Sequence, residues 1–249
     1  GFIPFRYVER SVSYGSTFIC FLCGLFDRYT LGSPTIERLM NDYALGATKD
    51  GCVIYWQIDV KGRVRTGKIM RYDPNTGHRV KDSGGINWVH SVLKKQKAIP
   101  ENFNLIQCLF GEHLLKMYPE KPVALVEAEK SALIASGVYP EYVWLATGGK
   151  SQLSIDKLKV LQGRTVVAFP DVDGFEYWTN KAEDIKRIGC NVIVSDLLDK
   201  IDLADWLIRD LIQVKDDQPT EKAAQCFTMD NPALLLLIDT FNLKPVDLK

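Results

Sequence analysis

The sequence predicts an α/β protein in which a doubly wound parallel sheet is preceded by a smaller helical and β-hairpin (α+β) subdomain. From residue 121 onwards, apolar runs of strand length alternate with segments of helix length, as in parallel sheets. Between residues 53 and 72, two strand-like runs flank a Lys61-Gly62 turn, which is typical of a hairpin. The first 45 residues are predicted to be mostly helical, with a very apolar run at 17–26 and a helix start signal at Ser33-Pro34-Thr35.

Composition fits a soluble globular protein and sets few further limits. Of 249 residues, 46% are apolar and 25% are charged, and the formal net charge is zero, so charge alone neither favours nor excludes a nucleic-acid partner. There is no signal-peptide pattern and no apolar run of membrane-spanning length, so we expect no membrane partner. Six irregularly spaced cysteines indicate a reducing cytoplasm rather than a disulfide framework.

We expect three parts along the chain: an N-terminal helical and basic hairpin subdomain (1–115), an α/β domain (116–215) and a C-terminal helical extension (216–249). The charge distribution supports the first of these, because residues 53–100 contain ten Lys or Arg and only three acids. Most of this excess lies on the hairpin of residues 53–72, called the basic hairpin below. It is interpreted either as the solvated face of a half-buried hairpin or as a surface that contacts nucleic-acid phosphates.

On the second interpretation, the cations that contact phosphate are Arg63, Arg65, Lys68 and Arg71. Strand alternation places the three arginines on one face and Lys68 on the other, unless a bulge at Gly67 shifts the register.

The α/β domain is predicted element by element from its alternation. The expected strands are 123–126, 142–146, 165–169 and 191–194, and the expected helices are 130–135, 153–161, 175–188 and 203–212, with a last helix at 233–241. Trp178 and Ile185 have helical spacing in the third of these helices, so we expect them in the core.

Carboxylates follow two of these strands. Glu127 ends the first, and Asp171 and Asp173 end the third. In open α/β sheets ligands bind outside the carboxyl ends of the strands, so neighbouring strands would bring the three acids to one pocket. Three carboxylates suit a hard cation, Mg²⁺ or Mn²⁺, with Glu127 as general acid/base or ligand and the aspartates holding the ion against a phosphate. The alternative is that these acids only cap strand ends.

A glutamate ending one strand, a glycine loop after the next (Gly148-Gly149) and a DxD pair ending a third resemble the Toprim domain of bacterial-type primases, topoisomerases and related nucleases. The basic hairpin, Asp59-Val60-Lys61-Gly62 and Leu109-Phe110-Gly111 follow the order found in primase catalytic cores. The same blocks are similar to a group of primase-like Toprim proteins carried by bacterial mobile elements. The resemblance implies a Toprim-like fold and a magnesium-dependent protein of plasmid or mobile-element replication. It implies nucleic acid as partner, DNA before RNA, and other replication proteins besides.

The resemblance also suggests further site residues. Asp202 matches an acidic motif that follows the DxD pair in primases and becomes a fourth metal ligand, with a helix N-cap as the alternative. Lys130 and Lys150 are expected to contact nucleic acid. The chain departs from the family pattern at Ala128, where glycine is usual, at Ser131, where aspartate is usual, and at Phe175, which would narrow the approach of a phosphate.

Two other functions fit parts of the same pattern. Asp171-Val172-Asp173-Gly174 is similar to the D-x-D-G motif of haloacid-dehalogenase phosphatases, in which the first aspartate is the nucleophile. A DNA-binding replication module without catalysis would keep the basic hairpin on a degenerate sheet. Glu127 distinguishes these cases, because a Toprim enzyme needs it beside the DxD pair and a phosphatase does not.

Overall fold

The computed structural model describes residues 1–27, 32–81, 85–149, 152–195 and 202–213. The predicted helix at 233–241, the extension 216–249 and Lys150 lie outside these ranges. The elements are α1 (Arg6–Ser11), α2 (Thr17–Asp27), α3 (Gly32–Tyr43), β1 (Gly46–Ala47), β2 (Val53–Ile58), β3 (Val64–Met70), β4 (Asn87–Trp88), α4 (Val89–Lys95), α5 (Leu114–Met117), β5 (Val123–Val126), α6 (Glu129–Val138), β6 (Val143–Ala146), α7 (Ile155–Leu158), β7 (Thr165–Phe169), α8 (Phe175–Arg187), β8 (Asn191–Val194) and α9 (Leu203–Gln213).

The basic hairpin forms the centre of an antiparallel sheet with strand order β1-β2-β3-β4. All six residues of β2 are buried, because one face contributes to the large core and the other to a second cluster beneath α1 and α4. The hairpin is therefore covered on both faces, and the expectation of a half-buried hairpin is wrong. The register shifts between the pairs Gln57–Thr66 and Ile58–Val64, so the extra residue is Arg65, not Gly67.

The second sheet is parallel, with strand order β6-β5-β7-β8. Three of its strands have the predicted bounds, and β6 begins one residue later than predicted, at Val143. Both the doubly wound sheet and the preceding α+β part are confirmed. Across the sheet, the connection from β5 to β6 runs toward one edge, and the connection from β7 to β8 runs toward the opposite edge. Right-handed crossovers then place α6 and α8 on opposite faces. The point where the direction reverses lies between β5 and β7, which are direct neighbours.

The segment before β5 is attached to the parallel sheet at its β6 edge. Phe110 N–H donates to the Ala146 carbonyl (2.9 Å) and Ala146 N–H donates to that of Phe110 (3.2 Å). The Tyr43 hydroxyl donates to the Trp144 carbonyl (3.0 Å), and its ring stacks on Phe110. One hydrophobic cluster thus contains residues from both sides of residue 115, and the division into domains there stays a prediction.

Two details of the α/β part differ from expectation. The predicted helix at 153–161 is one short α-helix, α7, followed by a single 3-10 turn, Lys159–Leu161. Helix α6 begins at Glu129, one residue earlier than predicted, which places that acid in its first turn. Trp178 and Ile185 are buried as expected. None of the helices that the structure describes has the length and apolar character needed to cross a membrane.

Candidate functional site

The site lies at the reversal point of the parallel sheet. Val126 of β5 is paired with Phe169 of β7, so Glu127 and the residues after Phe169 leave the sheet side by side. This is the crevice in which doubly wound folds bind ligands. The strand order therefore brings together two groups of acids that are 44 residues apart in sequence.

Hydrogen bonds from the loop after β7, residues 170–174, hold two of the predicted acids in place. Asp171 N–H donates to Glu127 Oε1 (3.3 Å) and Val172 N–H donates to Asp202 Oδ1 (3.3 Å). Gly174 closes the loop with a bond to the Asp171 carbonyl (2.7 Å), and a β-carbon there would collide with Glu127 Oε1. The loop is thus fitted around the Glu127 carboxylate, which is itself buried.

Electrostatic crowding of these acids shows in the pKa of Asp171. Burial, followed by the nearby charges of Asp202, Glu127, Asp173 and Asp205, raises this pKa from 3.8 to about 7. Each cause penalises the ionised carboxylate. At neutral pH the cluster thus carries negative charge that a cation would relieve.

This shift predicts how stability depends on pH without metal. The folded protein holds the Asp171 proton more tightly than the unfolded chain, so the free energy of unfolding should fall as pH rises from about 3.8 to about 7, by on the order of 1 kcal/mol after solvent screening. Chemical denaturation in EDTA at several pH values measures it. Asp171→Asn keeps the shape and removes the titration, so its curve should lack this decline. Parallel curves for the variant and the wild type would contradict the assignment.

The donor set was compared with the needs of a divalent cation. No three His, Cys, Asp or Glu side chains in the described part of the chain already stand where they could hold one ion. The chemistry nevertheless fits a hard cation, because Glu127, Asp171, Asp173 and Asp202 offer only carboxylate oxygens around one loop. Asp173 is exposed and Asp202 is half-buried. Their role as ligands stays a prediction.

One lysine lies beside this cluster. Lys130 Nζ in the first turns of α6 is 3.2 Å from Asp205 Oδ1 in α9. Asp205 is also among the charges that Asp171 experiences. Lys130 therefore supplies a positive charge at the edge of the acids, and its contact with nucleic acid stays a prediction.

Lys68 joins the two sheets instead of facing solvent. Its Nζ is 2.9 Å from Glu129 Oε2 and donates to the Gly148 carbonyl at 3.3 Å. The side chains of Lys68 and Glu129 are only 7% and 2% exposed. Gly148 N–H donates in turn to the Glu127 carbonyl (2.9 Å), so one buried ammonium group is linked to the strand end that carries Glu127.

The remaining hairpin cations are paired with acids of the same part of the chain. Arg63 and Arg65 both donate to Asp59 Oδ2, at 2.8 and 2.9 Å. Burial acts to raise the pKa of Asp59, but its hydrogen bonds, mainly from Arg63, outweigh it and lower that pKa. Arg71 pairs with the exposed Asp50 at 3.1 Å. Whether these cations contact phosphate stays a prediction, and a phosphate would compete with their present partners.

Sequence reasoning missed Glu129 and Lys157. Glu129 Oε1 is buried and has no hydrogen-bond partner. Lys157 donates a hydrogen bond to the Thr147 carbonyl (3.3 Å). Its pKa is lowered mainly by burial, and the charges of Glu129 and Lys68 also act on it. Glu129 had a possible signal, since acids favour the first turn of a helix. The position of Lys157 had no sequence signal that we can identify.

Comparison with known proteins places the fold. Residues 16–172 match the family described as Domain of unknown function (DUF6371). No curated protein matches the chain. The crystal structure of the Aquifex aeolicus primase (zinc binding and RNA polymerase domains) is 13% identical over 92% of this chain and 73% of that one, with a TM-score of 0.51. The DnaG primase catalytic domain bound to ssDNA is 13% identical over 96% and 81%, with a TM-score of 0.54. At this identity the likeness concerns the fold, which is that of a primase catalytic core.

Proposed function

The chain belongs to the family described as Domain of unknown function (DUF6371), and we propose that it is a primase-like Toprim protein that acts on nucleic acid with Mg²⁺ or Mn²⁺. The observation that carries the proposal is the acid cluster at the crevice between β5 and β7, where Asp171 has a pKa of about 7 because of burial and its acidic neighbours. Such a cluster serves phosphoryl chemistry better than it serves folding, because it destabilises the ionised state of its members.

Each residue has a defined part in the proposed reaction. Asp171, Asp173 and Asp202 would hold the cation, which neutralises a phosphate and polarises its oxygens. Glu127 would share in ligation or move a proton at the attacking hydroxyl. Lys130 lies where it could meet a phosphate oxygen carried to the cluster.

The proposed substrate is nucleic acid, with DNA before RNA, and the reaction is phosphoryl or nucleotidyl transfer or DNA processing. One structure of similar fold is a primase catalytic domain bound to ssDNA, which supports a strand as the partner. The basic hairpin supplies Arg63, Arg65 and Arg71 as candidate contacts to the backbone of the strand, and phosphate contacts of this kind carry no sequence preference. A setting in plasmid or mobile-element replication, with other replication proteins as partners, completes the proposal.

The test separates three functions with two substitutions. With a single-stranded template, nucleotides and Mn²⁺, we expect transfer that Glu127→Gln lowers by about 100-fold or more, because it removes a general acid/base or a ligand. Glu176→Gln, an exposed acid next to the loop, is the matched control and should retain wild-type activity.

The other outcomes have distinct signatures. Strand binding without turnover under these conditions would favour a non-catalytic DNA-binding module. Hydrolysis of p-nitrophenyl phosphate that survives Glu127→Gln but not Asp171→Asn would favour a phosphatase with Asp171 as nucleophile. The absence of both strand binding and turnover would refute the proposal.

A further inference from the structure

Two apolar side chains stand exposed around the acid cluster. Val172 and Phe175 flank Asp173 and are 43% and 40% exposed. Single exposed apolar residues are ordinary on protein surfaces, so exposure alone says little. The informative feature is their position, in and directly after the loop that is bonded to Glu127 and Asp202.

Phe175 continues the buried stripe of α8. The buried residues of this helix are Trp178, Ala182 and Ile185. Phe175 precedes them by three, seven and ten positions, so it belongs to the same face of the helix. Helical side chains lean toward the N-terminus, which carries the Phe175 ring beyond the last packed turn, toward the end of the helix that adjoins the crevice. An aromatic ring of the core-facing stripe is thus left partly uncovered at the start of α8, directly after the loop that carries Asp171 and Asp173.

The loop fixes where Phe175 begins. Gly174 is the N-cap of α8, its N–H is bonded to the Asp171 carbonyl, and it has no room for a side chain because of Glu127 Oε1. Trp178 N–H in turn donates to the Gly174 carbonyl at 2.9 Å. The backbone path from the carboxylates to Phe175 is therefore held at both ends, which limits the positions that the ring can take.

We infer that Phe175 is a stacking platform for a nucleobase of the strand or nucleotide whose phosphate is held at the acid cluster. The inference rests on the proposed function and names the group that the site recognises beside the phosphate. Every nucleobase has a π-face that can stack on an exposed aromatic ring, and such stacking strengthens binding without reading the identity of the base. Phe175, the bulky residue that departs from the Toprim pattern, would then add a contact to the base while it narrows the path by which the phosphate approaches the acids.

The test compares a 5′-labelled dT12 oligonucleotide with a backbone of the same length that lacks bases, by fluorescence anisotropy in Mn²⁺. Phe175→Ala should weaken dT12 binding about tenfold and leave binding of the abasic strand unchanged, because only the first strand has a stacking partner. Phe175→Trp should keep the affinity for dT12. Phe5→Ala, which removes a similarly exposed aromatic ring (48%) from the start of α1, should change neither.

The possible results distinguish failure of the stacking platform from failure of the proposed function. Equal binding of dT12 by the wild type and Phe175→Ala would overturn the stacking platform and leave the proposed function intact. Equal losses on dT12 and the abasic strand would also overturn it, because the effect would then not depend on bases. Wild-type protein that binds neither strand would overturn the proposed function together with this inference.

Discussion

Replacement of Lys68 by methionine is expected to lower the free energy of unfolding by about 3–5 kcal/mol, the largest stability effect predicted for a single hairpin cation. The reason is the buried partner that it leaves behind. Glu129 is 2% exposed, and one of its oxygens already has no hydrogen-bond partner. Removal of the Lys68 ammonium group would therefore leave the Glu129 carboxylate buried between the two sheets without its ion-pair partner. Urea denaturation of wild type and variant measures the loss.

Two variants make this result specific. In Lys68→Met/Glu129→Met no charge is left buried, so most of the stability should return, although each single change is costly. Arg71→Met is the matched control, since its ion pair with Asp50 is exposed and should contribute no more than about 1 kcal/mol. A double variant as unstable as Lys68→Met would show that the lysine acts through packing or through Gly148 instead.

The position of this ion pair also bears on the site. Lys68 lies in β3, Glu129 begins α6 and Gly148 follows β6, so one strand from each sheet and one helix meet at a single ammonium group. Glu127 lies two residues before Glu129 and accepts a hydrogen bond from Gly148. A residue that sequence reasoning assigned to phosphate contact therefore also fixes the strand end on which the proposed chemistry depends.

The largest effect on binding is expected from Asp171→Asn combined with Asp173→Asn. This variant should lose measurable Mn²⁺ binding, a decrease of about 100-fold or more, because two of four carboxylates around one loop are removed. Its stability in EDTA near pH 8 should equal or exceed that of the wild type, since the change relieves repulsion with Glu127 and Asp202. Isothermal titration and thermal melts measure the two quantities.

The control removes the same amount of charge from α8, away from the loop that carries Asp171 and Asp173. Glu183→Gln with Asp184→Asn acts near the C-terminal end of the helix, where these acids pair with Lys186 and Arg187, and should leave Mn²⁺ binding unchanged. Wild-type affinity in Asp171→Asn/Asp173→Asn would contradict the metal site. A marked loss of stability at pH 8 would contradict the electrostatic argument, because the acids would then be supporting the fold.

Local patterns were sufficient for the elements of the parallel sheet. Strands 123–126, 165–169 and 191–194 lie where their apolar runs predict, because a strand covered by helices on both faces is continuously apolar and ends where polar residues begin. The turn at Lys61-Gly62 located the hairpin correctly, but the sequence pattern underestimated how much of the hairpin is buried. Its excess of Lys and Arg suggested a solvated face, whereas the structure buries the Lys68 side chain and all six residues of β2.

Fold class, strand ends and the acids at those ends could be predicted from the sequence, since they follow from residue spacing along the chain. The contacts between strand ends and the pairing of charges became visible only in the folded protein. The neighbourhood of β5 and β7 follows from strand order, and the pairing of Lys68 with Glu129 joins residues that are 61 positions apart. Periodicity records which face of an element is buried but not which element covers it, so contacts between distant segments appear only when the chain is folded.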